Sequence, residues 1–222
     1  MIARRAFLLG LAATPIAAVS EAQSLSDVLE KIRRDSASLS ENQKQQISTH
    51  WITKPESSLI FMARKQIGVT TNYDPSYVSL DFPGGDFDRS SGVCTDVIIR
   101  AYRDALDFDL QKAFHEDMRD NFSDYPVIWG LSRPDKNIDH RRVPNIETFL
   151  KRGGYELPTN EWKPGDLITC RVGNLPHIGI VSHPETRSGT PRVIHNIGRG
   201  TREEDVIGFY NSERRFRFLP AA

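Results

Sequence analysis

Leu167-Ile168-Thr169-Cys170-Arg171-Val172, His177-Ile178-Gly179-Ile180-Val181-Ser182 and Arg192-Val193-Ile194-His195 are short runs rich in β-branched residues and separated by turn formers, and they read as strands. Arg215-Phe216-Arg217-Phe218 alternates charge and ring with period two and predicts one more strand. The chain before them follows a different period. Leu59, Ile60, Met62, Ala63 and Ile67 recur at helical spacing as far as Gly68. Val97, Ile98, Ala101 and Leu106 mark a stronger helix that starts at or just before Cys94. A short helix near Pro144 to Lys151 stops at Gly153-Gly154. Helices first and strands afterwards predict an α+β domain with an antiparallel sheet.

Working outward, the stretch from Thr70 to Gly92 is dense in Asn, Asp, Pro and Gly and predicts a long loop, a kind of segment that usually carries function. Asp109 to Asn145 is polar and aromatic and only partly helical in pattern. Residues 23–54 show sparse helical spacing and read as a helical or tether segment, with residues 55–222 as one domain. Residues 1–22 combine Arg4 and Arg5, the apolar run Ala6 to Ala13, and a small-x-small exit at Ser20-Glu21-Ala22, the three parts of a secretory signal peptide. The apolar run is shorter than the roughly 20 residues a membrane span needs. No Cys lies near the exit to carry a lipid, so no stable membrane anchor is expected. Arg4-Arg5-x-Phe7-Leu8 resembles a twin-arginine signal, with an ordinary basic start as the alternative. The expected location is periplasmic or secreted.

Charge excludes some partners. The 29 basic and 29 acidic side chains balance, and nothing in that balance favours nucleic acid or an anionic membrane surface. An oxidising compartment permits a Cys94–Cys170 disulfide, but spacing alone does not establish one. Cys170 lies in a strand-like run, where a cysteine is commonly a small buried apolar residue.

Cys94 sits differently. It follows Gly92-Val93 and opens an apolar-faced helix, with Ile98 and Ala101 four and seven residues on. A helix N-terminus favours an anion, which helps a thiol whose ordinary pKa is about 8.5 become a thiolate. His177, at the start of a strand after Pro176, is the candidate base that takes the thiol proton and returns it to a leaving amine. A third group must hold the imidazole, and His195 at the end of the next strand is the candidate, with Asn196 as the alternative. The Cys94 amide is the candidate oxyanion donor, joined by a Tyr73 or Tyr77 hydroxyl. Asp96 is placed either to bind a substrate ammonium or to act as a first-turn acid, and the second reading is preferred. Arg141 and Arg142 are candidate carboxylate clamps, though such arginines more often form salt bridges.

These residues resemble the NlpC-type cell-wall cysteine peptidases of the papain-like superfamily. The resemblance rests on Cys94 at a helix start, His177-Ile178-Gly179-Ile180-Val181 at a strand start, and Val193-Ile194-His195 one strand on. Gln66-Ile67-Gly68, Tyr73 or Tyr77, Gly84-Gly85 and Trp162-Lys163-Pro164-Gly165-Asp166-Leu167 stand where that family has similar steps. A more specific resemblance, from about Ser58 onward, is to a bacterial domain-of-unknown-function family within the superfamily. Tyr73-Asp74-Pro75-Ser76-Tyr77, Gly92-Val93-Cys94-Thr95-Asp96, His115-Glu116-Asp117-Met118, Asn137 to Asn145 and His195-Asn196-Ile197-Gly198 carry it. The resemblance implies a hydrolase with a Cys94-His177-His195 site, no cofactor, and peptidoglycan stem peptides or another peptide as substrate. Two departures concern the substrate. Val93-Cys94-Thr95-Asp96 replaces the usual Asp-Cys-Ser-Gly, and His177 follows Cys94 by 83 residues, longer than usual. The added polar segment around His115 and His140 is expected to form a flap or cleft wall, with Asp139 and His140 as supporting or substrate-binding residues.

Two rivals remain. His115, Glu116, Asp117, Asp139, His140, His177 and His183 are metal-ligand types, but none falls into a recognised spacing, so no metal is expected. A non-catalytic envelope-binding module of the same fold is the other.

Overall fold

The antiparallel pairing predicted for the last third organises the domain. In the computed structural model, which describes residues 54–183 and 189–220, six strands form one sheet in the order β3-β8-β4-β5-β6-β7. All its pairings are antiparallel. They are β3 (Glu156–Leu157), β4 (Leu167–Val172), β5 (Leu175–Val181), β6 (Val193–Asn196), β7 (Thr201–Glu204) and β8 (Asn211–Phe216). The described residues fall in one compact unit, Ile47–Ala222. The candidate signal peptide and nearly all of the tether lie outside the described residues.

Among the described residues, four α-helices precede or interrupt the strands: α1 (Pro55–Arg64), α2 (Cys94–Leu106), α3 (Leu110–Asp120) and α4 (Val143–Arg152). The architecture is α+β. Alternation along the strands decides which face the helices cover. Leu167, Ile178, Ile180, Ile194 and Phe216 enter one core with Leu59, Val97, Ile98, Phe114 and Ile146 of the helices. Ile168, Val181 and Val193 point to the opposite face, where Trp162, Val206 and Ile207 cover them. Each fully buried Ile or Leu in the larger core contributes about 1.5–3 kcal/mol of transfer free energy.

Two boundaries differ from the pattern reading. α1 ends at Arg64, not at Gly68, and the chain turns through Lys65 to Val69, with Gly68 in the left-handed region at φ +79°. Just past the helix end, the Gln66 side chain donates to Val97 O of α2 at 2.9 Å. β8 runs Asn211–Phe216, so Arg217 and Phe218 lie beyond the strand. Phe218 instead plugs the helical layer, with the rings of Tyr102, Phe108, Phe149 and Tyr155 centred 4.8–5.8 Å from its own.

The Thr70–Gly92 loop is fixed to α2. Arg100, fully buried, donates to Asp86 Oδ1 at 3.0 Å and to Ser91 O at 2.9 Å. Its guanidinium and that of Arg141 both lie 4.9 Å from the Phe87 ring. Within the loop, Asn72–Tyr73 (β1) and Ser91–Gly92 (β2) form a short parallel pair that delivers the chain to Cys94.

Candidate active site

Cys94 is the first residue of α2 and is 4% exposed. The chain reaches it in an extended conformation at Val93, whose N–H donates to Asp96 Oδ2 at 2.7 Å and so caps the helix. Burial pushes the thiol up to about 11 and the Asp96 carboxylate adds to the rise, while the nearby backbone amides of Ile178, Thr95 and Cys94 favour the thiolate. The Ile178 amide is available for a structural reason. β5 and β6 pair only at Ile180–Ile194 and Val181–Val193, and below that level they diverge. The N-terminus of α2 fills the opening: Cys94 meets β5, and Asn196 Nδ2 at the end of β6 donates to Gly92 O at 3.0 Å.

His177 and His195 face each other across this opening, with His177 Nε2 2.8 Å from His195 Nδ1. His195 Nε2 in turn lies 3.0 Å from Glu204 Oε2. Gly179 makes the approach possible, because a Cβ there would lie 2.4 Å from Val193 Cγ1 and 3.2 Å from His195 Cβ. Desolvation lowers both imidazoles, His177 to about 3 with help from neighbouring His195, while Glu204 partly offsets the shift at His195. The resting groups are a thiol and neutral imidazoles. Cys94 forms no hydrogen bond to either ring among the described residues; it touches the main chain of the residue that follows His177.

A groove of about 190 Å³ opens beside the thiol, with Tyr73, Trp129, Arg142, Pro144 and Pro176 among its walls. Burial, together with Cys94 and Asp96, raises the Tyr73 hydroxyl to about 12, so it is a proton donor at neutral pH. The Arg142 guanidinium lies 4.2 Å over the Trp129 ring and is held by Asp139 at 2.9 Å.

The family described as "Domain of unknown function (DUF1287)" matches residues 60–218. The chain belongs to the DUF1287 family. "Uncharacterized protein YijF" of Escherichia coli (strain K12) is 51% identical over 162 residues, which cover 71% of this chain and 78% of that protein.

Several candidate residues of this DUF1287 domain do other work. Asp96 is not open to a substrate ammonium: it caps α2 and forms a two-bond pair with Arg141, Nε–Oδ1 and Nη2–Oδ2 each 3.0 Å. Arg141 is not a free carboxylate clamp, since it also donates to Ser76 O at 2.9 Å and Asp74 O at 3.0 Å. The Tyr77 hydroxyl donates to Asp135 Oδ2 at 3.1 Å and accepts from Asn137 Nδ2 at 2.7 Å, which takes it out of the oxyanion role. Asn196 braces Gly92 and leaves the contact with His177 to His195. Asp139 is buried, with desolvation raising its carboxyl, and it accepts from Asp135 N and Arg142. His140 is buried inside the expected cleft wall, its imidazole lowered by desolvation to about 3. Cys94 and Cys170 are both free thiols, and no three His, Cys, Asp or Glu side chains gather as a metal site among the described residues. Glu204 is the residue that pattern reading missed. Its signal is strand geometry: Arg202 pairs with His195, so Glu204 is the diagonal neighbour on the same face.

Proposed function

We propose that the DUF1287 domain is a cysteine hydrolase of the papain-like, NlpC-like type that cleaves an amide bond in peptidoglycan stem peptides. The observation that carries the reading is the placement of Cys94: first residue of a helix, sulfur against the amide next to His177, with His177 held by His195. The basic, apolar and small-x-small order of residues 1–22 supports export and thus an envelope substrate. Groove chemistry supports a peptide bearing a carboxylate, with Trp129, Pro144 and Pro176 for apolar contact and Arg142 for charge.

Because the resting pair is neutral, deprotonation belongs to the attack step and does not precede it. His177 Nδ1 closes on Sγ when substrate is bound, as catalytic hydrogen bonds that are long in a free enzyme do. The S–H proton passes to His177, sulfur bonds to the carbonyl carbon, and the amide C–N bond breaks as the amine takes that proton. Water then releases the acyl group from Cys94. The Cys94 amide and the Tyr73 hydroxyl are the donors for the oxyanion, a role worth about 3–4 kcal/mol per donor.

The test is digestion of purified peptidoglycan by the wild type and by Cys94→Ala, with soluble fragments identified by mass. New fragments from the wild type alone, lost by about four orders of magnitude or more in the variant, are expected. Equal fragments from both proteins would move the nucleophile elsewhere. None from either, with both proteins folded and retained on the insoluble polymer, would replace the hydrolase with an envelope-binding module.

A further inference from the structure

The hydrogen-bond chain behind His177 ends on a residue that the hydrolytic reading does not use. Glu204 lies on β7, its side chain a third exposed, and reaches the wholly buried His195. A carboxylate has no proton to give, so the 3.0 Å contact is made with the proton on His195 Nε2. A neutral imidazole carries one ring proton, and burial holds both rings neutral. His195 Nδ1 is therefore a lone pair. The 2.8 Å contact must then use a proton on His177 Nε2, which leaves His177 Nδ1 unprotonated. Nδ1 is the ring nitrogen nearer its own main chain, and it is on that main chain, at Ile178 N–H, that the Cys94 sulfur rests.

We propose that Glu204 is a positioning residue of the Cys94 site, fixing through His195 the tautomer of His177 whose Nδ1 lone pair serves as the base. The proposal rests on the hydrolase reading for its consequence, but not for its geometry. Without a carboxylate at 204, His195 is free to carry its proton on Nδ1. That proton would oppose the one on His177 Nε2, drive it to Nδ1, and occupy the lone pair the thiol needs. Glu204 also stands behind the positive charge that His177 acquires during attack, as the carboxylate of a catalytic triad does.

Side-chain 15N NMR of the histidines in the full-length protein reads the tautomers directly, with no substrate present. At pH 7.5 the wild type is expected to show His177 and His195 both protonated at Nε2. Glu204→Gln is expected to populate the Nδ1–H form of both, while Glu204→Asp, which keeps the carboxylate, retains the wild-type pattern. On purified peptidoglycan Glu204→Gln is expected to lose about 10- to 100-fold in kcat with little change in KM, the scale of an orienting partner one step removed from the reacting group. Wild-type tautomers in a folded Glu204→Gln, or an unchanged kcat beside an active wild type, would overturn the proposal. A wild type that releases no fragments counts against the hydrolase, whereas the NMR result judges Glu204 by itself.

Discussion

Between pH 6.5 and pH 4.5 the domain is expected to lose up to about 5 kcal/mol of stability, enough to unfold a typical domain of 5–15 kcal/mol. The cause is the burial of neutral imidazoles. His140 and His177 are 3% and 6% exposed, and desolvation brings each down to about 3 from the ordinary 6.5. His195 is lowered by the same cause. A folded-state pKa below the unfolded one means that the unfolded chain binds more protons throughout the window. The contribution is thus fully present above pH 6.5 and is lost as pH falls toward 3. Each such group costs about 1.4 kcal/mol per pH unit. Asp139 works in the opposite direction, since its carboxyl is raised by burial and its contribution is regained on acidification. Thermal melts followed by circular dichroism at pH 7.5, 6.0, 5.0 and 4.5 should show a steep fall in Tm below 6. A Tm that stays level to pH 4.5 would mean that these rings are hydrated in the folded protein.

Removing Arg141 is the second large effect. Its partner Asp96 has only 6% of its side chain exposed, and after Arg141→Ala it would keep the Val93 N–H as a partner but no neutralising charge. Breaking one side of a buried pair costs about 3–5 kcal/mol, far more than a surface salt bridge is worth. Arg141→Ala also frees Ser76 O and Asp74 O, so the loop loses its tie to the start of α2. Urea denaturation should place the single variant at least 3 kcal/mol below wild type. Asp96→Asn with Arg141→Met is expected to recover a substantial part, because it leaves no unpaired charge. A loss below about 1 kcal/mol in Arg141→Ala would show that Asp96 is hydrated.

Much of this arrangement was legible in sequence because it follows from periodicity. The apolar spacing after Cys94 marked the start of α2, and the strand runs at 167–172, 177–182 and 192–195 marked the central sheet. β7 escaped because Thr201-Arg202-Glu203-Glu204 is polar on both faces. Its stability comes from partners that no local pattern reveals: Glu203 takes Arg64 of α1 at 2.7 and 2.8 Å, and Glu204 takes His195. β1 and β2 are two residues each, too short for alternation to register. The first-turn reading of Asp96 anticipated its cap, but the partner 45 residues away depends on packing. His140 illustrates the converse limit. Its polar stretch reads as a flap or cleft wall with His140 among the substrate-binding candidates, and only the fold of Ile138 to Val143 shows the ring turned inward.

The divergence of β5 from β6 has a consequence for how the domain breathes. Above the opening, the two strands are joined by the pairs Ile180–Ile194 and Val181–Val193, and Ser182 N–H donates to Arg192 O at 2.8 Å just past them; at the level of His177 and Ile178 the contacts are between side chains and with the α2 terminus. Separation at that seam would break the His177–His195 contact but no strand pairing, so an opening there is expected to admit water to the thiol and the two rings while the sheet stays whole. In hydrogen exchange, the Ile178 amide, which faces Cys94, is expected to exchange through a local opening, whereas the Ile180 amide, on the same edge two residues on, is expected to exchange only when the sheet opens. On the proposed hydrolase reading, that seam is also where a substrate chain would enter.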